Sequence, residues 1–333
     1  MTRVAVRPPV FRVAPVATLS DVSRRAAWTF AALGVAWGIP YLLIKVAVSE
    51  LSASQLVLGR TAIAAVLLLP VALARGQVGA VLRRWPAVAA YTVVEIAVPW
   101  VFLGRAEQEL PSSTTGLLIA AVPLAGLAVA ALSGRPERLG VTGQVGLVLG
   151  VLGVAALVGL DVGGSALVPV LEVAVVVVGY AVGPAILLRW LGDLPGLGVV
   201  AVSLTLCALA YLPVVLLGGG LPPSVPGTDV VLAVLTLAVV CTAAAFLMLF
   251  FLIGQVGPVR ATTITYVNPA VAVVAGAVVL DEPVTAWTVV GFALVVLGSV
   301  LVTRRPSARD DDRVAAATVA QACVGSPGDP AAR

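Results

Sequence analysis

Long apolar runs separated by short polar turns fill the chain from about residue 27 to residue 303. A membrane-spanning helix needs about 20 mostly apolar residues, and only helices and closed barrels satisfy the backbone in lipid. Because the runs are too long for strands, the pattern predicts an all-α membrane protein. Its ten predicted helices are 27–48, 55–75, 87–105, 113–133, 142–160, 166–190, 198–218, 229–252, 260–280 and 286–303.

Composition excludes a soluble enzyme or binding domain. The chain is 60% apolar and only 11% charged, with a mean hydropathy of +1.11, whereas soluble domains carry roughly 25% charged residues. It has no histidine, and its three cysteines lack metal-ligand spacing, so we expect no metal or haem cofactor. A P-loop is missing from the glycine-rich pieces, so ATP is not expected to drive a reaction.

Positive charge predicts the orientation. Seventeen of the twenty cations fall in segments that an even number of spans places on the side of both termini. The positive-inside rule then puts both termini in the cytoplasm, with the protein in the cell (inner) membrane. These arginines are expected to contact lipid headgroups rather than nucleic acid. Residues 1–25 are predicted as a cytoplasmic tail and 304–333 as a disordered one.

Two halves of the chain repeat each other. Pro40 to Lys45 precedes the similar block Pro184 to Arg189 by 144 positions. Leu69-Pro70-Val71 recurs 143 positions later as Leu212-Pro213-Val214, and Pro123 precedes Pro269 by 146. The near-constant offset predicts a duplicated five-helix unit, with repeats at 26–160 and 166–303. Five is odd, so the copies have opposite orientation, as in many secondary transporters.

The residues that carry a family resemblance lie mainly near the C-terminal end. Tyr266-Val267-Asn268-Pro269, Leu280-Asp281-Glu282-Pro283, Gly291 and Gly298 resemble the EamA-type transporters of the drug/metabolite transporter superfamily. Trp37-Gly38 to Lys45 and Arg60 also resemble that family's opening pattern. The resemblance implies ten helices around a central cavity that moves small metabolites or drugs by alternating access, often outward. In the first repeat, Arg135-Pro136-Glu137-Arg138 departs from the family's usual order.

Ionisable residues inside predicted spans are candidate functional groups, because burying them in lipid is costly. Glu95, near the middle of its helix, is a candidate for substrate-amine contact or proton coupling; the alternative is a structural pair with Arg60 or Lys45. Arg60 is suited to a substrate carboxylate, or to snorkelling toward the interface. Glu172, nearer a span end, either takes part in function or reaches water.

Two further polar stripes complete the predicted site. Trp37, Tyr41 and Lys45 recur every four residues, so they share a helix face; they line a cavity or anchor the helix at the headgroups. Tyr266 and Asn268 belong to the most polar span, where they meet substrate or form interhelical hydrogen bonds. Pro40, Pro99, Pro123, Pro184 and Pro269 are predicted helix hinges.

The sequence therefore predicts a secondary transporter for a small amphipathic or amino-acid-like metabolite or drug. Proton-coupled antiport and facilitated diffusion both remain open. The competing hypothesis is a polytopic membrane enzyme or assembly scaffold without transport. Gly143, Gly146, Gly150 and Gly153 form a small-residue face for internal packing or for a homodimer.

Overall fold

Every regular element in the described part of the chain is helical. The computed structural model describes residues 24–132, 140–157, 167–218, 220–222, 224–256, 264 and 267–303. Seven helices there are long and apolar enough to cross a bilayer, namely α1 (Arg24–Ala47), α2 (Ala53–Ala74), α3 (Trp85–Glu109), α4 (Ser112–Leu132), α6 (Leu167–Leu191), α7 (Gly196–Leu217) and α8 (Thr228–Val256). Three shorter apolar helices are α5 (Val141–Ala156), α9 (Asn268–Val279) and α10 (Ala286–Thr303). A short helix, Val78–Leu82, joins α2 to α3.

Several of these helices change geometry along their length. α1 is interrupted at Ile39, between Arg24–Gly38 and Pro40–Ala47, and α4 consists of Ser112–Ile119 and Val122–Leu132. π-Helical segments occupy Thr92–Ala97 in α3, Leu187–Leu191 in α6 and Val239–Ala244 in α8. Such wider turns often occur at functional sites.

The predicted hinge prolines lie close to these irregularities. Pro40 restarts α1 after its interruption, Pro99 follows the π segment of α3, and Pro123 follows the interruption of α4. Pro184 precedes the π segment of α6 by three residues, and Pro269 is the second residue of α9. A proline removes one helical hydrogen bond and softens the helix at that level; movement at these points stays a prediction.

Helix packing follows the same repeat as the sequence. α2 packs against α7, α4 against α9 and α5 against α10, while the α3·α6 pair is matched by α8·α1. If five is added to each helix number, with α1 counted after α10, every pair in this set becomes a pair of the same set. The two halves therefore interlock, with each principal pair joining one half to the other.

The α5·α10 pair is built on glycines. A Cβ on Gly298 would lie 2.5 Å from the Gly150 backbone nitrogen, and one on Gly153 would lie 2.7 Å from that of Val295. Such close approach of two backbones is possible only without side chains. The glycine face at Gly146, Gly150 and Gly153 is thus used inside the chain, the first of the two alternatives that the sequence left open.

Candidate functional site

The buried guanidinium of Arg60 marks the centre of the candidate site. A capping box starts α2, since Ser52 Oγ accepts from the Gln55 nitrogen at 3.2 Å and Gln55 Oε1 accepts from the Ser52 nitrogen at 2.8 Å. This fixes Arg60 two turns into the helix, only 8% exposed. Its Nε donates to Thr242 Oγ1 at 2.9 Å, and its Cζ lies 3.7 Å from the centroid of the Trp100 ring.

Arg60 therefore contacts neutral groups. Within the described ranges no carboxylate lies within 4.0 Å of its guanidinium. A buried charge without an opposite charge is costly, and the cation–π contact with Trp100 offsets only about 2 kcal/mol of that cost. Since Thr242 belongs to the second half and Trp100 to the first, the two halves together hold an arginine that is suited to an anionic group.

Glu95 is the other isolated charge at this level. It lies in the π segment of α3, and its carboxylate rests directly against Gly183 of α6. Its Oε2 is buried and has no hydrogen-bond partner among the described side chains and backbone. No cation among the described residues lies within 4.0 Å of the Glu95 carboxylate. The geometry therefore does not support the alternative of an ion pair with Arg60 or Lys45.

Aromatic side chains surround these two charges. Tyr41 of α1 and Tyr91 of α3 are buried, and Tyr180 of α6 lies within electrostatic range of both Arg60 and Glu95. Trp100, Tyr180 and Thr242 were not among the residues predicted from sequence. Trp100 is five residues beyond Glu95, and Tyr180 and Thr242 lie in the second half, where neither is next to a charged residue in the sequence.

Glu107 is a correction to the sequence analysis. The predicted span 87–105 left it in an outer loop, but α3 continues to Glu109 and buries Glu107 completely. Neither of its carboxylate oxygens has a hydrogen-bond partner among the described residues. The sequence signal for this burial was the position of Glu107 seven residues after Trp100, which places both side chains on one helix face.

Lys45 caps a helix end. Its Nζ donates to the backbone carbonyls of Glu107 at 2.7 Å and Leu110 at 3.0 Å, where a cation satisfies carbonyls at the negative end of the helix dipole. Trp37 lies on the other side of the α1 interruption, half-buried, with its ring edge-on to Phe246 at 6.1 Å. The residues of the predicted stripe, Trp37, Tyr41 and Lys45, therefore lie in separate environments.

Asn268 begins α9, where α9 packs against α1. It is half-buried, and its Oδ1 has no hydrogen-bond partner among the described residues. The backbone carbonyl of Asn268 lies 3.1 Å from the position of a Cβ on Gly38. Tyr266, the other predicted residue of this span, lies outside the described residues.

One face of the molecule, here the Glu282 face, is held by contacts between the halves. Glu282, in the loop before α10, accepts from the backbone nitrogens of Ser112 at 2.7 Å and Ser113 at 2.9 Å. It thereby caps α4, whose own N-cap residue Pro111 makes no side-chain capping bond, with a carboxylate from the other half. Burial raises the pKa of Glu282, but the hydrogen bonds from Ser113 and Ser112 outweigh it, so the net pKa lies below its usual value.

Further contacts tie the halves at the same face. Arg105 Nε lies 2.7 Å from Glu172 Oε1, so the buried Glu172 is paired there. Gln55 Nε2 donates to the Gly220 carbonyl at 3.0 Å, and the Gly227 nitrogen donates to Glu50 Oε2 at 2.9 Å.

The opposite face, here the Arg84 face, has a bidentate ion pair. Arg84 Nη1 and Nη2 donate to the two carboxylate oxygens of Asp193 at 2.6 and 2.7 Å, and Nη1 also reaches the Trp190 carbonyl at 2.8 Å. The Arg84 guanidinium lowers the pKa of Asp193. Both groups are exposed, so the pair is weaker than its geometry implies.

A family model matches most of the chain. The model of the EamA-like transporter family matches residues 24–159 and 168–304. The chain belongs to this family. An "Uncharacterized transporter" from Archaeoglobus fulgidus is 27% identical over 286 residues, 84% of this chain and 99% of the relative. A solved crystal structure aligns with a TM-score of 0.61 at 21% identity, over 84% of this chain and 98% of the other, which supports the fold alone.

In this EamA-family protein, Arg60 and Glu95 provide a positive and a negative group that could contact a solute. A guanidinium and a carboxylate, each without an opposite charge, lie among aromatic rings where the two repeats meet. Hydrogen bonds and charge interactions are stronger among buried groups than in water. The group is therefore suited to binding a polar solute reversibly, whereas the described residues hold no cluster of three or more histidine, cysteine, aspartate or glutamate side chains that could bind a metal ion.

Proposed function

We propose that this EamA-family protein is a secondary transporter that exports a small amphipathic metabolite, an amino-acid-like compound or a drug by alternating access. It spans the cell (inner) membrane ten times, with both termini in the cytoplasm. The two repeats have opposite orientation and rock about the level of Arg60 and Glu95. The Glu282 face and the Arg84 face close in turn.

The observation that carries this proposal is the isolated Arg60. An arginine fixed by Thr242 and stacked on Trp100 matches a carboxylate in charge and in bidentate geometry. Because its neighbours come from both repeats, a bound solute contacts both moving parts. The cluster of Tyr41, Tyr91 and Tyr180 then suits the apolar portion of the solute.

Glu95 supplies the link to an ion gradient in this proposal. A carboxylate without a partner, deep in a span, is the type of group that carries protons in transporters. Export of the solute is coupled to entry of a proton, which Glu95 binds from one side and releases to the other. Facilitated diffusion, the other possibility from the sequence, predicts no dependence on the gradient.

Counterflow in proteoliposomes tests the proposal. Metabolite profiles of cells with and without the gene nominate the solute, and a radiolabelled mixture of the common amino acids is the first probe. We expect Arg60→Gln to reduce counterflow at least about thirtyfold, since truncating one member of a buried charge pair costs about 2–5 kcal/mol. Arg60→Lys should retain more activity, because it keeps the charge.

The matched control is Arg189→Gln, at an exposed arginine near the end of α6. It should transport like the wild type. Equal counterflow by wild type and Arg60→Gln, for a solute that the wild type carries, would contradict the assigned site. No counterflow of any nominated solute would contradict transport itself.

A further inference from the structure

The repeat relates the polar residues of the centre in pairs. Arg60 is the eighth residue of α2 and Ser203 the eighth residue of α7, counting from Ala53 and Gly196. Glu95 and Thr242 are the fourth residues of the π segments that begin at Thr92 and Val239. Each half thus supplies one polar residue on its second helix and one in the π segment of its third.

The two cross-pairs differ in their hydrogen bonding. Arg60 and Thr242 bond to each other at 2.9 Å, and Thr242 Oγ1 also donates to the Leu237 carbonyl at 2.8 Å. Their repeat mates have no such bond: Ser203 Oγ and Glu95 Oε2 are both buried without a hydrogen-bond partner among the described residues. Ser203 is completely inaccessible to solvent.

Packing places the second pair on neighbouring helices. α7 packs against the π segment of α3, just as α2 packs against that of α8. Tyr211 of α7 donates to the Ala97 carbonyl at 2.8 Å, which fixes α7 on the end of that π segment. Gly183 of α6 also lies directly against the Glu95 carboxylate.

The available ligand atoms are all oxygens. They are the Glu95 carboxylate, the Ser203 hydroxyl and a backbone carbonyl near Val94 and Glu95 that loses its helical donor, because Pro99 has no N–H. Buried polar groups are normally paired. Two unpartnered groups on neighbouring helices, at the positions that the repeat relates to the bonded Arg60 and Thr242, therefore indicate a ligand. An anionic carboxylate with neutral oxygens suits a small hard cation.

The other ionisable groups on the helices around Glu95 do not neutralise it. Glu172 is paired with Arg105, and Arg189 is exposed near the end of α6. Glu107 and Glu109, further along α3, are acidic and cannot neutralise a carboxylate. The other titratable side chains on these helices carry no charge at neutral pH in their ordinary forms; they are Tyr91 on α3, Tyr180 on α6, and Cys207 and Tyr211 on α7.

We infer that Glu95 and Ser203 form the binding site of the coupling cation, and that it is separate from the anion-binding Arg60–Thr242 pair. The two pairs occupy equivalent positions in the repeat, but one binds an anion and the other binds a cation. The proton of the proposed function binds there on the Glu95 carboxylate, whose new O–H then donates to Ser203; Na⁺ suits the same oxygens. This inference rests on the proposed function and assigns its coupling site.

Gradient-driven accumulation separates the cation site from the solute site. Proteoliposomes holding wild type, Glu95→Gln or Ser203→Ala receive either a pH gradient without Na⁺ or a Na⁺ gradient at equal pH. The solute is the amino-acid mixture or the nominated metabolite, and counterflow without a gradient is measured in parallel. The control is Thr205→Ala, two residues along α7, whose hydroxyl already donates to the Ala201 carbonyl at 2.8 Å within its own helix.

We expect one gradient to drive accumulation by the wild type and by Thr205→Ala, which identifies the cation. Glu95→Gln should lose this accumulation under both gradients. Ser203→Ala should need about tenfold more of the cation for half-maximal accumulation, as expected for loss of one hydrogen bond to a charged group.

Ser203→Ala with the cation dependence of the wild type would overturn the assigned site, and so would counterflow without response to either gradient. Absence of counterflow in the wild type would overturn the proposed function as well. A second readout needs no solute: the thermal unfolding midpoint in detergent, measured against Na⁺ and against pH. It should shift in the wild type and in Thr205→Ala but not in Glu95→Gln; an equal shift in Glu95→Gln would overturn the site.

Discussion

Removing the charge of Glu282 should open the face that this residue holds. Glu282→Gln keeps the side-chain volume but leaves one acceptor oxygen for the two donors, the Ser112 and Ser113 nitrogens at 2.7 and 2.9 Å. A hydrogen bond to a charged group contributes about 1.5–3 kcal/mol. Since Glu282 is only half-buried, we take a value in the lower half of this range, a loss of about 2 kcal/mol. That corresponds to a roughly thirtyfold shift toward states in which the α9–α10 loop leaves α4.

The pH dependence of this contact has a definite sign. The folded-state pKa of Glu282 is lowered, so its contribution is fully present above the ordinary glutamate pKa. It is lost as pH falls through the lowered folded-state value. The wild type should therefore approach the behaviour of Glu282→Gln in acid, and the variant itself should lack this pH response.

Distances between spin labels on the two halves measure the opening. Labels at Gln108 and Val284, both exposed and on the Glu282 face, are placed in a background without the three native cysteines. We expect a longer-distance population in Glu282→Gln and an unchanged distribution in Glu109→Gln, which alters an exposed carboxylate at the same face. Identical distance distributions for wild type and Glu282→Gln would refute the claim that Glu282 holds this face closed.

Three other predictions follow from the packing. Gly183→Ala places a methyl group on the Glu95 carboxylate, so it should lower stability by about 1–3 kcal/mol and weaken gradient-driven transport; Gly126→Ala, which meets nothing within 4 Å, is the control for both assays. Gly298→Ala should force α10 from α5 and lower the thermal unfolding midpoint; a midpoint equal to that of the wild type would contradict the backbone contact. Asp193→Asn at neutral pH should loosen the Arg84 face as acid does in the wild type. The lowered pKa of Asp193 keeps its ion pair with Arg84 intact until the pH falls below that pKa. An unchanged distance between spin labels across that face in Asp193→Asn would contradict this role of the pair.

Helix type and approximate spans were accessible from sequence because they depend on long apolar runs. The duplication was accessible because similar residues recur at a near-constant offset. Ends of helices were less accessible, and one such error mattered. Polar residues at 105–109 resemble a loop in hydropathy, yet α3 continues through them because Lys45 caps its terminal carbonyls and Glu107 faces the interior. Hydropathy averages over all faces of a helix and therefore misses one buried glutamate.

The site was predicted in part for a related reason. Glu95 and Arg60 attract attention as charges inside apolar spans, and both lie where the halves meet. Trp100 and Thr242, which contact Arg60, and Ser203, the proposed partner of Glu95, are ordinary residues in the sequence. They gain meaning only from which helices pack together. The π segments were equally hidden, since the residues at 92–97 and 239–244 have no distinctive composition.

The most direct test of the central assignment compares a carboxylate solute with its methyl ester in binding to purified wild type and Arg60→Gln. If the guanidinium on Trp100 binds the carboxylate, esterification should weaken binding to the wild type about tenfold or more, as expected for loss of a charge-assisted hydrogen bond. In Arg60→Gln the acid and the ester should bind with equal affinity. An ester that binds the wild type as tightly as the acid would contradict the account.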